Sequence, residues 1–304
     1  MHRIVFFGTS DFAVPHLEAL VQDSRFHVVA VVTQPDKPVG RHAELTPPPV
    51  KRAAERYTLP TFQPEKLSEL NSILPPDLDV GVVVSYGKIL PPWLLELPAR
   101  GFVNVHASLL PRWRGPSPIH AAIAAGDTHT GVTVMKLDEA MDHGPILATD
   151  GTSILDTDTG GSLHDRLAGM GATLLPNILD GYLSGKTGPT TQDHTKATYC
   201  KILTRENGKI DWFKTAHEIE RQVRAYDPWP GSWTELSGKR LKILAVKIRP
   251  NNASFSPGQR FVWKKRPTVG CGQGTTVELV TVQPEGKKPM SGEEFIRGNK
   301  TWSE

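Results

Sequence analysis

Arg3-Ile-Val-Phe-Phe-Gly8 sets an unbroken apolar run against a glycine within the first eight residues. The run has no alternation of polar and apolar positions, so both of its faces need cover, and the glycine marks where a strand turns. His27-Val-Val-Ala-Val-Val-Thr33 and Asp79-Val-Gly-Val-Val-Val-Ser85 repeat the pattern with β-branched residues that fill a pleated surface well. After the first run, Asp11 can cap a helix, with Pro15 tolerated in its first turn. Doubly buried strands alternating with helices predict a parallel sheet covered on both sides. The fold class expected is a doubly wound, Rossmann-like α/β domain with its ligand crevice at the carboxyl ends of the strands.

Further along, Thr130-Gly-Val-Thr-Val-Met-Lys-Leu137 and Gly144-Pro-Ile-Leu-Ala-Thr149 read as two strands joined through Asp138 to His143. A helix starts near Ser162 and carries apolar residues at Leu163, Leu167, Leu174, Ile178 and Tyr182. Residues 184–200 are polar and turn-rich, the composition of a linker. Thr215-Ala-His-Glu218 has the spacing of a capping box, opening a short helix through Ile219 and Val223 that Asp227-Pro-Trp-Pro-Gly231 ends. Short strand-like runs over 241–248 and 275–283, set apart by Gly, Pro and Asn, favour a small β-barrel. The expected organisation is a catalytic α/β domain over 1–186, a linker over 187–206 and a barrel over 207–304.

At 304 residues the chain is too long for one ordinary core, and 22% charged with 38% hydrophobic residues fits a globular protein. No apolar run approaches the roughly 20 residues that span a bilayer. The amino-terminal apolar run is too short for a signal-peptide core and lacks a small-residue cleavage site. Cys200 and Cys271 stand far apart without a CxxC, which supports neither a disulfide framework nor a metal site, and a reducing, cytoplasmic setting is expected. The lack of an obvious sticky segment favours a monomer. A net charge of +3 hides a division. Residues 1–190 carry 15 Lys and Arg against 20 Asp and Glu, and residues 191–304 carry 20 against 12, giving −5 and +8. A basic half of that size is either a solvated surface or the seat of a polyanionic partner.

The chemistry concentrates in Asn104-Val-His106-Ala-Ser108-Leu-Leu-Pro111 and in Asp142-His-Gly144. Asn104 and His106 are two apart, so on an extended segment both leave the same face. An amide can hold a developing oxyanion, an imidazole can move a proton near neutral pH, and a carboxylate can orient the imidazole or align an attacking amine. Together they suit one-carbon acyl transfer to an amine, which needs no serine or cysteine nucleophile. Read singly, the same residues are those of a structural histidine and a turn aspartate. The first strand–helix turn, Gly8-Thr-Ser-Asp-Phe-Ala13, is not GxGxxG, and no GxxxxGK[ST] occurs, so dinucleotide and P-loop readings lose their usual support.

Asn104-Val-His106-Ala-Ser108-Leu109-Leu110-Pro111-Arg112-Trp-Arg114-Gly, with Asp142-His-Gly-Pro downstream, resembles the signature of the folate-dependent formyltransferases. Gly8 to Ala13, Thr33 to Arg41, Asn207-Gly-Lys-Ile-Asp-Trp212, Tyr226 to Trp233 and Gln283 to Ser291 extend the likeness to the branch that acts on methionyl-tRNA. The resemblance implies formyl transfer from 10-formyltetrahydrofolate to the α-amine of initiator methionyl-tRNA. It implies catalytic roles for Asn104, His106 and Asp142, a folate-binding turn at Ser108, Leu109, Leu110 and Pro111, and an OB-like barrel that holds the tRNA backbone. It also implies a loop over 34–51 that reaches the tRNA, with Arg41, Lys37 and Lys51 as its cations. Pro35, Pro38 and Pro47-Pro-Pro49 argue against regular structure there. His42-Ala-Glu44 stands where members of the branch commonly carry further lysines, and Glu44 would repel phosphate. Trp229 and Trp233 read as packing residues ahead of base-stacking platforms. Competing readings are formyl transfer to a nucleotide-sugar or ribonucleotide amine, which gives no reason for a basic second half, and an RNA-binding protein with a vestigial catalytic domain.

Overall fold

The computed structural model describes residues 1–40, 43–250, 255–299 and 302–303. Its elements run β1 (His2–Gly8), α1 (Val14–Gln22), β2 (Phe26–Val32), β3 (Lys37–Val39), β4 (Glu44–Thr46), α2 (Pro49–Arg56), β5 (Thr61–Phe62), β6 (Val80–Val84), α3 (Pro92–Leu95) and β7 (Phe102–His106). After these come α4 (Pro118–Ala125), β8 (His129–Lys136), β9 (Ile146–Ser153), α5 (Gly160–Leu183) and α6 (Ala216–Ala225). The remainder is β10 (Ser232–Leu236), β11 (Lys239–Arg249), β12 (Arg260–Trp263), β13 (Arg266–Gly270), β14 (Thr276–Pro284), β15 (Met290–Ser291) and α7 (Gly292–Gly298).

The expected sheet is present. Seven strands lie in the order β5-β2-β1-β6-β7-β8-β9. β1 pairs in parallel with β2 and β6, and β6 with β7, whereas β8 runs antiparallel to β7. Val5, Phe7, Ala30, Val32, Val83 and Phe102 pack on one face with Leu70, Tyr86 and Leu94, and are nearly or fully buried. That burial from both sides is why the strands read as continuous apolar runs. Asp11 falls in a short 3-10 turn, Asp11–Ala13, ahead of α1, so it starts the helical segment one turn earlier than a simple cap would.

By contacts the chain forms two compact units, Met1–Gly115 with Thr130–Thr152 and His164–Cys200, and Pro116–His129 with Ser153–Leu163 and Lys201–Glu304. In the second, β10-β11-β14-β13-β12 form an antiparallel sheet with β15 beside β14, the content of an OB-like domain. Its core is Ile219 and Val223 of α6, Ile243, Val269, Leu279, Phe295 and Trp302. Thr215 and Glu218 form the expected capping box, each side chain bonded to the other's backbone N–H. α4, from late in the amino-terminal half of the sequence, packs against α6. Trp233 is buried and donates from its indole to the Arg205 carbonyl at 3.1 Å, which fits a packing residue. Trp229 departs from that expectation, being 47% exposed.

The 34–51 stretch departs from the irregular path its prolines suggest. β3 and β4 pair as a two-stranded antiparallel ladder with Pro38 opposite Leu45. Such an edge ladder tolerates a residue without an N–H. Pro49 starts α2, where its missing donor costs nothing.

His16 of α1 is fully buried. Its Nδ1 donates to the Phe12 carbonyl at 2.9 Å, and Nε2 has no partner. A Cβ on Gly171 of α5 would collide with that Nε2, so the glycine is what admits the ring. Burial pushes the His16 pKa down from 6.5 to about 4, against a smaller opposing effect of the Phe12 carbonyl. Below pH 6.5 the unfolded chain takes up a proton that the folded ring does not, so stability falls as pH drops from 6.5 towards 4. Between pH 7 and 5 this contributes a loss of about 2 kcal/mol. Urea unfolding of His16→Met should lack that increment relative to the unsubstituted protein. Equal losses in the two would remove His16 as their source.

Candidate active site

β7 delivers Asn104 and His106 to the carboxyl end of the sheet, where open α/β folds bind ligands. Asn104 pairs with Val83 of β6 and Met135 of β8, and His106 with Thr133 of β8. Val105 points to the other side, where a Cβ on Gly171 would stand 3.0 Å from Val105 Cγ1. The two-residue period therefore places the amide and the imidazole on one face, as the sequence spacing requires. Asn104 is 9% exposed, and among the described residues nothing pairs with its carboxamide. A buried amide left free in the protein is available to a ligand carbonyl.

His106 is held between two groups. Nε2 lies 2.9 Å from the Trp113 carbonyl oxygen, so that nitrogen carries the proton and donates. Nδ1 faces Asp142 Oδ1 at 3.6 Å, beyond hydrogen-bond reach. The second oxygen of Asp142, Oδ2, accepts from the Gly115 backbone N–H at 2.7 Å. Asp142 itself sits at φ +50°, a left-handed conformation that aspartate tolerates better than most residues. Two glycines make this approach possible: a Cβ on Gly144 would strike the Lys136 carbonyl oxygen, and one on Gly115 would strike that of Cys200. The structure thus brings His106 and Asp142 together and leaves Asn104 on the His106 face of β7.

The Ser108–Pro111 turn follows directly. Ser108 Oγ donates to the Arg112 carbonyl at 2.6 Å, and Thr133 Oγ1 bridges the Ser108 carbonyl and the Leu110 N–H at 2.6 and 3.1 Å. The Leu109 and Pro111 carbonyls accept from Arg112 and Thr198. Those backbone groups are engaged inside the protein, Leu110 is buried, and Leu109 is partly exposed. The Leu110–Pro111 peptide is cis.

Of the loop cations, Lys37 is exposed on β3. Arg41 lies outside the described residues. Lys51 sits in α2 and bonds both Asp36 oxygens at 2.9 Å. Gln63 and Lys51 together hold the Asp36 carboxyl below its ordinary range. No group of three or more His, Cys, Asp or Glu able to hold a metal occurs among the described residues.

Several residues that the sequence reading left out border the site. Residues 190–200 return along its edge: Thr190 pairs with Ile146, and Tyr199 with Arg114. Thr198 accepts through Oγ1 from the Trp113 N–H at 2.9 Å and through its carbonyl from the Arg114 N–H at 2.8 Å. Gln192 donates to the Asp142 and Gly144 carbonyls. A polar, turn-rich composition gave no local signal for these contacts, which depend on the chain folding back.

Residues 2–179 match the formyl transferase family, and residues 202–300 match the formyl transferase carboxy-terminal domain. The methionyl-tRNA formyltransferase of Chloroflexus aggregans is 45% identical over 304 residues, covering 97% of both chains. That of Bacillus subtilis is 43% identical over 302 residues, covering 98% of this chain and 95% of its own. An N-formyltransferase from Helicobacter canadensis, solved with folinic acid and dTDP-3-aminofucose, shares the fold with a TM-score of 0.69 at 18% identity, over 93% of this chain and 100% of that one. HypX from Aquifex aeolicus, solved with tetrahydrofolic acid, does so with a TM-score of 0.60 at 16% identity, over 97% of this chain and 46% of that one. With both family domains in order and full-length relatives of one activity, the chain belongs to the methionyl-tRNA formyltransferase family.

Proposed function

We propose that Asn104, His106 and Asp142 carry formyl transfer from 10-formyltetrahydrofolate to the α-amine of initiator methionyl-tRNA. One observation carries the reading: a free buried amide and an imidazole of defined tautomer share one face of β7, and a carboxylate faces that imidazole. The amine attacks the formyl carbon, forming the new C–N bond while the carbonyl π pair moves onto oxygen. Asn104 Nδ2 donates to that oxygen. Collapse restores the carbonyl and breaks the bond to N10 of the folate, which leaves as tetrahydrofolate after taking up a proton. The amine loses a proton in the same sequence, and the acceptors beside it are His106 Nδ1 and Asp142 Oδ1. Their 3.6 Å gap leaves neither engaged with the other, and a delivered proton would draw them together.

The acceptor follows from the relatives at 43–45% identity over nearly the whole chain, and it gives the basic half a purpose that a nucleotide sugar does not. Lys242, Lys247, Lys264, Lys265, Lys287 and Lys288 are exposed in the carboxy-terminal unit and suit phosphate contacts. On the same reading Lys37 and Arg41 approach the acceptor end, Lys51 steadies the loop through Asp36, and Ser108 to Pro111 shape the folate seat. On the same reading the enzyme works as a cytoplasmic monomer. No described helix is long and apolar enough to cross a membrane.

Asn104→Ala should lower kcat by about 10²–10³, the usual cost of a lost oxyanion donor, with the unfolding midpoint little changed. Asp142→Asn should fold and bind folate while transfer slows strongly; single-turnover rates at the unsubstituted level would take Asp142 out of the mechanism. Affinity for charged initiator tRNA should fall about 10²-fold between 50 and 200 mM salt if roughly four phosphates are neutralised. Salt-independent binding in a filter assay would count against the basic unit as the phosphate holder.

A further inference from the structure

We propose that Gln192 is a positioning residue for Asp142, an inference that rests on the catalytic role proposed for that carboxylate. Gln192 is 5% exposed and uses its full amide capacity. Its Nε2 donates to the Asp142 carbonyl at 2.9 Å and to the Gly144 carbonyl at 2.7 Å. Its Oε1 accepts from Arg114 Nη2 at 2.7 Å and Nε at 3.3 Å. One side chain therefore grips both ends of the Asp142-His143-Gly144 turn, at a residue that holds a left-handed φ of +50°. That conformation is intrinsically unfavourable and persists where its surroundings over-determine it.

Arg114 makes the grip specific. It is 2% exposed, and its remaining guanidinium partners are His194 Nδ1 at 2.8 Å and the Tyr199 hydroxyl at 3.4 Å. A charged donor strengthens the bond to Gln192. The chain neighbours of Arg114 are the groups that hold the catalytic pair: the Trp113 carbonyl accepts from His106, and the Gly115 N–H donates to Asp142. Gln192 thus ties the backbone of Asp142 to the three-residue segment that fixes where both side chains point. The chain brings it there because Thr198 and Cys200 pair with Arg114.

The experiment is a double-mutant cycle on the full-length enzyme, with 10-formyltetrahydrofolate and charged initiator tRNA as substrates. Gln192→Met keeps the length and removes all four hydrogen bonds. It should lower kcat about 10²-fold, as ångström-scale misplacement does, while KM for each substrate stays within about twofold. In an Asp142→Asn background the same change should cost less than about threefold, because the group it positions is already disabled. Additive losses, or a loss confined to KM, overturn the proposal. Gln192→Glu retains the Arg114 partner and sets an acceptor against the two turn carbonyls, so it keeps the test open should Gln192→Met not fold. Its kcat should fall with the same non-additivity, and an unchanged kcat overturns the proposal. A slow Asp142→Asn beside a fast Gln192→Met sinks the positioning role alone. A fully active Asp142→Asn sinks both readings.

Discussion

The pleat of β7 is the constraint on which the site depends. A strand sends alternate side chains to opposite faces, so a one-residue slip would turn Asn104 and His106 into the α5 side and put Val105 at the crevice. Two different pairings prevent the slip. On one edge β6 runs parallel, with Gly81 opposite Phe102, and a side chain at Gly81 would collide with the Phe102 ring. On the other edge β8 runs antiparallel and sets Thr133 opposite His106. Thr133 then binds the Ser108 carbonyl and the Leu110 N–H, so the residue that fixes the end of the register also shapes the turn beyond it.

The His106–Asp142 geometry has its own logic. The two side chains are held from residues 113 and 115, flanking Arg114, by a carbonyl on one side and an N–H on the other. Trp113 at φ +60° and Gly115 at φ +112° give that segment the path that presents both groups towards the pair. Asp142 Oδ2 accepts from a backbone N–H, which leaves Oδ1 facing the imidazole, and His106 Nε2 donates to Trp113, which leaves Nδ1 facing the carboxylate. A closed His–Asp hydrogen bond would need a proton on Nδ1. At 3.6 Å that bond is not made.

Much of this was legible in sequence, for reasons that are local. The apolar runs at Arg3, His27 and Asp79 carried their burial in their composition, and Thr215 with Glu218 carried a cap in its spacing. Asn104 and His106 shared a face by period alone. Asp142 was grouped with them by its chemistry and by resemblance, and no spacing rule could place it, because β8 intervenes between the two motifs. Gln192 was lost in a polar stretch whose composition says loop and nothing about where the loop returns. At 34–51 the prolines misled: Pro38 sits in a lone two-stranded ladder and Pro49 at a helix start, the two contexts where a missing N–H does no harm.

Charge in the carboxy-terminal unit divides by burial. Glu278 is fully buried on β14 and is paired by both Arg249 and Arg266, and Arg266 also reaches Glu293. Those two arginines are spent on internal compensation, without which a buried carboxylate would be costly. Exposed lysines remain on β11, at Lys242 and Lys247, and at two turns. Lys264 and Lys265 occupy the β12–β13 turn at φ +48° and +64°, and Lys287 and Lys288 follow Gly286. Lys264 Nζ sits 4.7 Å over the Trp263 ring, while the ammonium of an exposed lysine on a flexible stem is a hydrated point charge. Point charges of that kind can meet phosphates but carry no sequence information by themselves.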